Sequence, residues 1–348
     1  MNLFQASASK MKEGIIGILR SGSGANERPY LKKHNESSVP GLFIIGDLAG
    51  APVIKYAMAQ GYEVMEHIAS LHGAGKGSAR EPYDVVVIGA GAAGLNAALH
   101  AQEKGLHVLV LEKEQIANTI ENFPEGKWVY AEPDSQPPKG KLWLDGATKE
   151  DLIQRWHRII DDNQLDVRVM EPVTACKRRE AGFDVTTPKG EYRARYVVLA
   201  TGQRGNPRKL SVEGEDRHTV YHRLYSPRKY KNEKILIVGG GNSAAEAALT
   251  LSEQNHVVLS YRGNGFHRLF KENERKIRSA IEEGRIEPVF HSGVTAFGEH
   301  DARLEIREGA APAVRNIPYD HAFILVGAEV PRDFLKSLGL RMENEWEG

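Results

Sequence analysis

The chain has 348 residues, enough for two domains and a short extra element. Lysine plus arginine and aspartate plus glutamate number 46 each, so the formal net charge is zero, which argues against a nucleic-acid binder with its basic face. The single cysteine, Cys176, excludes an internal disulfide, a CxxC redox pair and a cysteine metal cluster.

Hydrophobic residues at 41% and charged residues at 26% are those of an ordinary globular protein. No apolar run reaches the roughly 18–20 residues that cross a bilayer. The opening MNLFQASASKMKEG lacks a basic stretch followed by an apolar core, so no secretory signal is expected. The expected compartment is the cytoplasm. The 13 histidines show no ligand spacing with acids or cysteines, and no metal site is expected.

In chain order, residues 1–25 read as an N-terminal extension, a weak amphipathic stretch and a Gly/Ser join. Residues 26–71 hold an apolar strand, the turn Gly46-Asp47, and a helix from about 51 to 71 with Pro52 in its first turn, where a missing N–H costs nothing. Residues 72–82, HGAGKGSAREP, are a linker by composition. They are not a phosphate loop, because Gly77 follows Lys76 where serine or threonine is needed.

From residue 83 the pattern is strand, glycine turn, helix, strand: YDVVVIGAGAAGLNAALHAQEKGLHVLVLEKE. Gly89, Gly91, Ala93 and Gly94 lie in a loop that follows a strand and opens a helix, and Glu112 ends the next strand at the spacing of a dinucleotide fingerprint. Gly89 permits the tight turn, Gly91 lets backbone approach a pyrophosphate, and Gly94 lets helix pack on strand. The helix N-terminus offers N–H groups to phosphate, and Glu112, followed by Lys113, accepts ribose hydroxyls. A helix follows at GATKEDLIQRWHRIIDD, capped by Thr148 with Asp151 three residues on. Four short strands then run to VVLATG, which ends in Thr201-Gly202.

A second unit, KILIVGGGNSAAEAALTLSEQNHVVLSYRG, carries Gly239, Gly241, Asn242 and Ser243 between strand and helix. Its partner strand ends in Ser260-Tyr261-Arg262, with no acid to hold a free 2′-hydroxyl. Arg262 suits a 2′-phosphate, and Ala244 replaces the third glycine, so NADPH is expected over NADH. Arg268 and Lys271 either add charge around that phosphate or are solvated surface cations. An apolar strand and a helix close the pattern at YDHAFILVGAEVPRDFLKSLGL. The final LRMENEWEG carries no stop signal, which fits a piece of a longer protein.

Two loops with different strand tips call for two ligands, and FAD with NADPH is the economical pair. The segments VVVIGAGAAG, TIENFPEG, VVLATG, ILIVGGGNSAAEAA and VPGLFIIGDLAG resemble the two-dinucleotide-binding flavoprotein oxidoreductases, most closely their thioredoxin-reductase-like branch. The resemblance implies an α/β fold of two Rossmann-like domains, the NAD(P)H domain inserted in the FAD domain. On that basis 83–207 is the FAD domain, 208–316 the NADPH domain and 317–348 the return to the FAD domain. It further implies FAD on the first loop, Glu112 on the adenosine ribose, Gly46 and Asp47 beside the pyrophosphate and ribityl chain, and Thr119 and Asn122 near the flavin ring.

The segment order departs from the family, since the Gly-Asp segment stands ahead of both loops. The sequence therefore reads as circularly permuted, with 26–71 in the role of the family's last segment, folding in cis or crossing to a neighbouring subunit. Counting back from Tyr230, the family's CxxC cysteines become His222 and Tyr225. The expected activity is thus electron transfer from NADPH through flavin to an external acceptor, a ferredoxin-type protein or a small disulfide, in a homodimer. A flavin monooxygenase and a non-catalytic redox-sensing or electron-entry module are the alternatives. Lys55, in the helix after Asp47, is expected at the flavin pyrimidine edge, the alternative being a lysine reaching solvent. His222 is either a proton relay or a loop histidine. Trp128, Trp143 and Trp156 read as packing residues.

Overall fold

The structure is a computed structural model and describes residues 28–74, 82–203, 207–267, 269–308, 311–328 and 330–343. The N-terminal extension, most of the linker and Arg268 lie outside the described residues.

The first unit is built on β1 (Leu42–Ile44), β2 (Tyr83–Ile88), β3 (Val108–Leu111), the short antiparallel pair β4 (Trp128–Val129) and β5 (Ala147–Thr148), β6 (Val167–Arg168), β7 (Ala175–Arg179), β8 (Gly182–Thr187) and β9 (Gly190–Leu199). Its parallel core runs β6-β3-β2-β9-β1, with β8 antiparallel to the first half of β9 and β7 antiparallel to β8. Successive side chains alternate between faces, and both faces are buried. Val85, Val87, Val108, Val110 and Val198 pack toward α1 (Ile54–Ala74), α2 (Ala92–Glu103) and α4 (Lys149–Asp162), while α3 (Asn118–Glu121) lies beside α4. Val86, Ile88, Leu109, Leu111, Leu42 and Ile44 pack toward Phe183, Val185 and the C-terminal Leu335, Leu338 and Met342. The α1 helix continues to Ala74, past the expected end at 71, so the linker begins later than residue 72.

β1 joins this sheet from the same chain, pairing Leu42, Phe43 and Ile44 with Val197, Val198 and Leu199. Small residues then seat α1 directly on α2. A Cβ on Gly61 would stand 2.5 Å from the Ala93 carbonyl, and Gly46, at φ +78°, would meet the Ala93 methyl at 3.2 Å. His100 of α2 ties the two helices together, its ring nitrogens each 2.7 Å from Glu66 and Glu103 and its ring stacked on Tyr62.

The second unit contains β10 (Val220–Tyr221), β11 (Lys234–Val238), β12 (His256–Ser260), β13 (Ile286–Val289), a three-stranded antiparallel sheet of β14 (Ser292–Phe297), β15 (Asp301–Ile306) and β16 (Ala313–Pro318), and β17 (His321–Ile324). The parallel sheet runs β10-β17-β11-β12-β13, with α5 (Asn242–Leu251) and α6 (Lys271–Glu282) on one face and the antiparallel sheet on the other. A return to the first unit at 317 does not hold: β17 pairs with both β10 and β11, because HAFI is apolar enough to be a central strand. The chain crosses back beyond it, where Pro207 and Ala328 form an antiparallel bridge and Arg208 N–H donates to Gly327 O at 2.9 Å. Val330, α7 (Arg332–Ser337) and the residues from Leu338 to Met342 pack on the first unit. The two ends of the described chain meet there: Glu343 N–H donates to Arg28 O at 2.8 Å and Tyr30 N–H to Arg341 O at 2.9 Å.

Candidate functional site

The first glycine loop is shaped by what surrounds it. Gly89 has φ +111°, and a Cβ there would stand 2.6 Å from Ala200 O; one on Gly94 would stand 2.0 Å from Gly89 O. Gly91 faces open space. It also caps α2 without any side-chain hydrogen bond, leaving first-turn N–H groups for an anion. Glu112 is buried, accepting from Ala90 N–H at 2.8 Å and Glu114 N–H at 2.9 Å. The carboxylate expected to hold a ribose thus also braces the loop, and each oxygen keeps a second lone pair. Thr201 Oγ1 is buried without a hydrogen-bond partner, beside Gly202. An orphaned hydroxyl at a glycine loop fits a bound polar group.

The N-terminal segment reaches this loop. Gln203 Nε2 donates to Asp47 O at 3.1 Å, and Gly46 N–H donates to Gln60 at 2.8 Å. Lys55, in the first turn of α1, is only 5% exposed, and its Nζ donates to Pro133 O at 2.8 Å. The solvent-reaching alternative for Lys55 is therefore overturned. Lys113 is exposed and stands 3.7 Å from Glu114, an exposed pair of small energetic weight.

The second loop repeats the logic. Gly239 has φ +144°, with Leu325 O 2.4 Å from where a Cβ would sit, and Gly241 is open. Gly241 caps α5 without a side-chain bond. Asn242 lines the cleft, and its Oδ1 accepts Phe270 N–H at 2.9 Å and Asn273 Nδ2 at 3.0 Å. These bonds fix the wall formed by the start of α6.

A cleft of about 990 Å³ separates the two units. On one side are Thr119, Asn122, Trp128 and Tyr130; on the other are Gly239 to Ser243, Tyr261, Arg262 and Asn273, with His222 in the wall. Lys127 spans it to Glu246 at 2.5 Å. The structure thus makes two groups of the expected residues, Gly46, Asp47, Glu112 and Thr201 at the first loop and Ser243 and Arg262 at the second. Thr119 and Asn122 face the second group across the cleft, while Lys271, at the head of α6, is exposed. Trp128 is not a packing residue, being 49% exposed, whereas Trp156 is buried with Nε1 donating to Trp143 O at 2.7 Å. Sequence reading missed Asn273, Tyr261 and Glu215, the last of which stands 3.6 Å from His222. The ring of Tyr261 covers Gly240, and none of these contacts leaves a short-range signal.

Cys176 is buried in β7, and burial, helped by Asp184, pushes its thiol up to about 12. It lies outside the residues lining the cleft. Among the described residues no group of histidine, cysteine and acidic side chains has metal-binding geometry, and no helix is long and apolar enough to cross a membrane.

Residues 86–347 match the family of pyridine nucleotide-disulphide oxidoreductases. The chain belongs to this family. It is an NAD(P)H-dependent flavoprotein oxidoreductase, thioredoxin-reductase-like, whose cofactors are FAD and NADPH. It is 26% identical over 266 residues to bacilliredoxin reductase Bdr of Bacillus subtilis, covering 75% of this chain and 81% of the relative. Identity to a ferredoxin–NADP reductase of Ignicoccus hospitalis is 26% over 267 residues, covering 75% and 83%. The structure superposes on bacillithiol disulfide reductase Bdr (YpdA) of Staphylococcus aureus with a TM-score of 0.67 at 26% identity, over 74% of this chain and 80% of the other. The family match begins after Asp47 and Lys55.

Proposed function

We propose that this protein takes a hydride from NADPH on the second glycine loop and passes the electrons, through FAD on the first, to an external acceptor. The observation that carries the reading is the single cleft in which Thr119 and Asn122 of one unit face Gly241, Ser243 and Arg262 of the other. FAD bound at the first loop supplies reversible two-electron chemistry and can release electrons singly. Around it, the free N–H groups of α2 meet the pyrophosphate, Glu112 accepts ribose hydroxyls, and the first turn of α1 with Lys55 favours negative charge at the ring edge. Arg262 holds the 2′-phosphate of the nicotinamide cofactor.

Because Cys176 is the sole cysteine and is buried away from the cleft, no thiol of this chain relays the electrons. The acceptor takes them directly, as a ferredoxin-type protein or a small disulfide, the partners in whose names the relatives are reductases. The protein acts in the cytoplasm as a homodimer. Its FAD site is circularly permuted relative to the family, with 28–74 acting in cis as the closing segment. The pairing of Leu42, Phe43 and Ile44 with Val197, Val198 and Leu199 of the sheet that carries the first glycine loop supports this.

The test is a visible spectrum of the purified protein followed by anaerobic titration with NADPH and then NADH. Flavin bleached preferentially by NADPH is the expected result. Bound flavin bleached by neither nucleotide would refute the hydride site.

A further inference from the structure

The chain passes between the two units beside Pro207 and Arg208 and again beside Gly327 and Ala328, where the two passages pair antiparallel. Gly327 has φ +98°, a conformation that side chains rarely adopt. A two-stranded crossing of this kind is a hinge, and by itself it leaves the angle between the units free. The distance between the two glycine loops depends on that angle.

Lys127 and Glu246 tie the units a second time. Lys127 follows Pro124 in the first unit, and Glu246 lies on α5, one turn beyond Asn242. Both line the cleft, and their side chains are 29% and 34% exposed. Exposed ion pairs usually contribute little, because two free side chains must be ordered to form them. Here both partners are held by other contacts. The Lys127 ammonium lies 4.6 Å from the Phe123 ring centroid, while its main chain donates to Pro124 O at 3.1 Å and accepts from Lys149 N–H at 2.8 Å. Glu246 Oε1 accepts from Asn273 Nδ2 at 3.1 Å, and the same amide reaches Asn242 Oδ1, the first residue of α5. The carboxylate is thus joined to the helix that starts at the second loop and to α6 beside it. Glu125 N–H, donating to Tyr225 O at 3.2 Å, adds a main-chain contact on the same segment.

We infer that Lys127 and Glu246 are a positioning pair that sets the spacing of the two dinucleotide sites, so that hydride transfer between them depends on the pair while nucleotide affinity does not. The inference rests on the proposed function and assigns that function two further residues. The Lys127 charge is taken up by Glu246 rather than offered to a phosphate. Transfer between two bound groups is steep in their separation, whereas binding at either loop uses that loop's own N–H groups.

The test combines stopped-flow flavin reduction of the loaded protein with distances in the apoprotein. In Lys127→Met, and likewise in Glu246→Gln, the limiting rate at saturating NADPH should fall at least about tenfold. The NADPH dissociation constant, read from the concentration dependence, should not change. Lys127→Arg should keep the parent rate, and Lys127→Met combined with Glu246→Gln should be no slower than either alone, because both act through one contact. For the distances, spin labels are placed on exposed Asp162 of α4 and Glu282 of α6, each replaced by cysteine in a Cys176→Ser background. Pulsed electron–electron resonance should give one narrow distance, broadened by Lys127→Met and kept by Lys127→Arg. A raised dissociation constant at an unchanged limiting rate would make Lys127 a phosphate contact and overturn the inference. Unchanged rates, additive losses in the double variant, or slowed reduction with an unaltered distance distribution overturn it too. A wild type whose bound flavin NADPH does not reduce refutes the proposed function instead, and the apoprotein distances then decide the pairing alone.

Discussion

Replacing Gly94 and Gly91 by alanine, one at a time, separates packing from ligand binding in the first glycine loop. At Gly94 a Cβ would stand 2.0 Å from Gly89 O and 3.2 Å from the Ala200 methyl, and the nearer contact is backbone that cannot swing away. Helix α2 must lift from β2, an overpacking strain of about 1–3 kcal/mol, or roughly 2–10 °C in Tm for a unit of this size. At Gly91 φ is −83° and nothing lies within 4 Å, so alanine is accommodated in the protein alone and Tm should stay within experimental error. The added methyl instead occupies the place where backbone approaches the pyrophosphate. FAD affinity should fall at least about tenfold, or 1.4 kcal/mol. The assay is differential scanning calorimetry of both apoproteins, followed by fluorescence titration with FAD. A Gly91→Ala protein with wild-type FAD affinity, or a Gly94→Ala apoprotein as stable as the parent, would refute the reasoning.

Lys55→Met keeps the buried stem and removes the charge, so the flavin midpoint should fall by about 20 mV, from about 1 kcal/mol of lost stabilisation; an unchanged potential in anaerobic spectroelectrochemistry removes Lys55 from the ring edge. Cys176, with its thiol pushed up to about 12, is about one part in ten thousand thiolate at pH 8. It should react with Ellman's reagent only after unfolding, and Cys176→Ser should retain full reductase activity. Hydrogen bonds from Lys104 and then His100 to Glu66, and from His100 to Glu103, hold both carboxyls below the ordinary range. Their contribution is present above the unfolded value of 4.5 and is lost as pH falls through the folded one. His100→Gln should therefore lower Tm by a few degrees at pH 6, and the difference should narrow below about pH 4. A constant difference in calorimetry across that range would exclude the linkage.

The two strand–glycine–helix units were legible because they are local. Each needs an apolar strand, glycines whose spacing follows turn geometry, and a helix within a single βαβ crossover, so the loops at Gly89–Gly94 and Gly239–Gly241 could be read directly. The Thr148 cap could be read the same way, and Asp151 N–H does donate to its hydroxyl at 3.3 Å. The strand HAFI carried no such information. Four apolar-leaning residues pair equally well in either sheet, and only the register of β17 between β10 and β11 put them in the second unit.

Side-chain fates at long range were decided by tertiary structure alone. Whether Lys55 reaches solvent depends on Pro133, 78 residues away, supplying a carbonyl. Asn242 Oδ1 is engaged because Asn273 arrives from 31 residues on. His222 acquires a carboxylate only because the crossing loop folds back on Glu215. Sequence thus determined the class of chemistry, through backbone motifs that local geometry imposes. The structure decided which side chains face the cleft, since hydrogen-bond partners and burial are properties of neighbours that chain order does not encode.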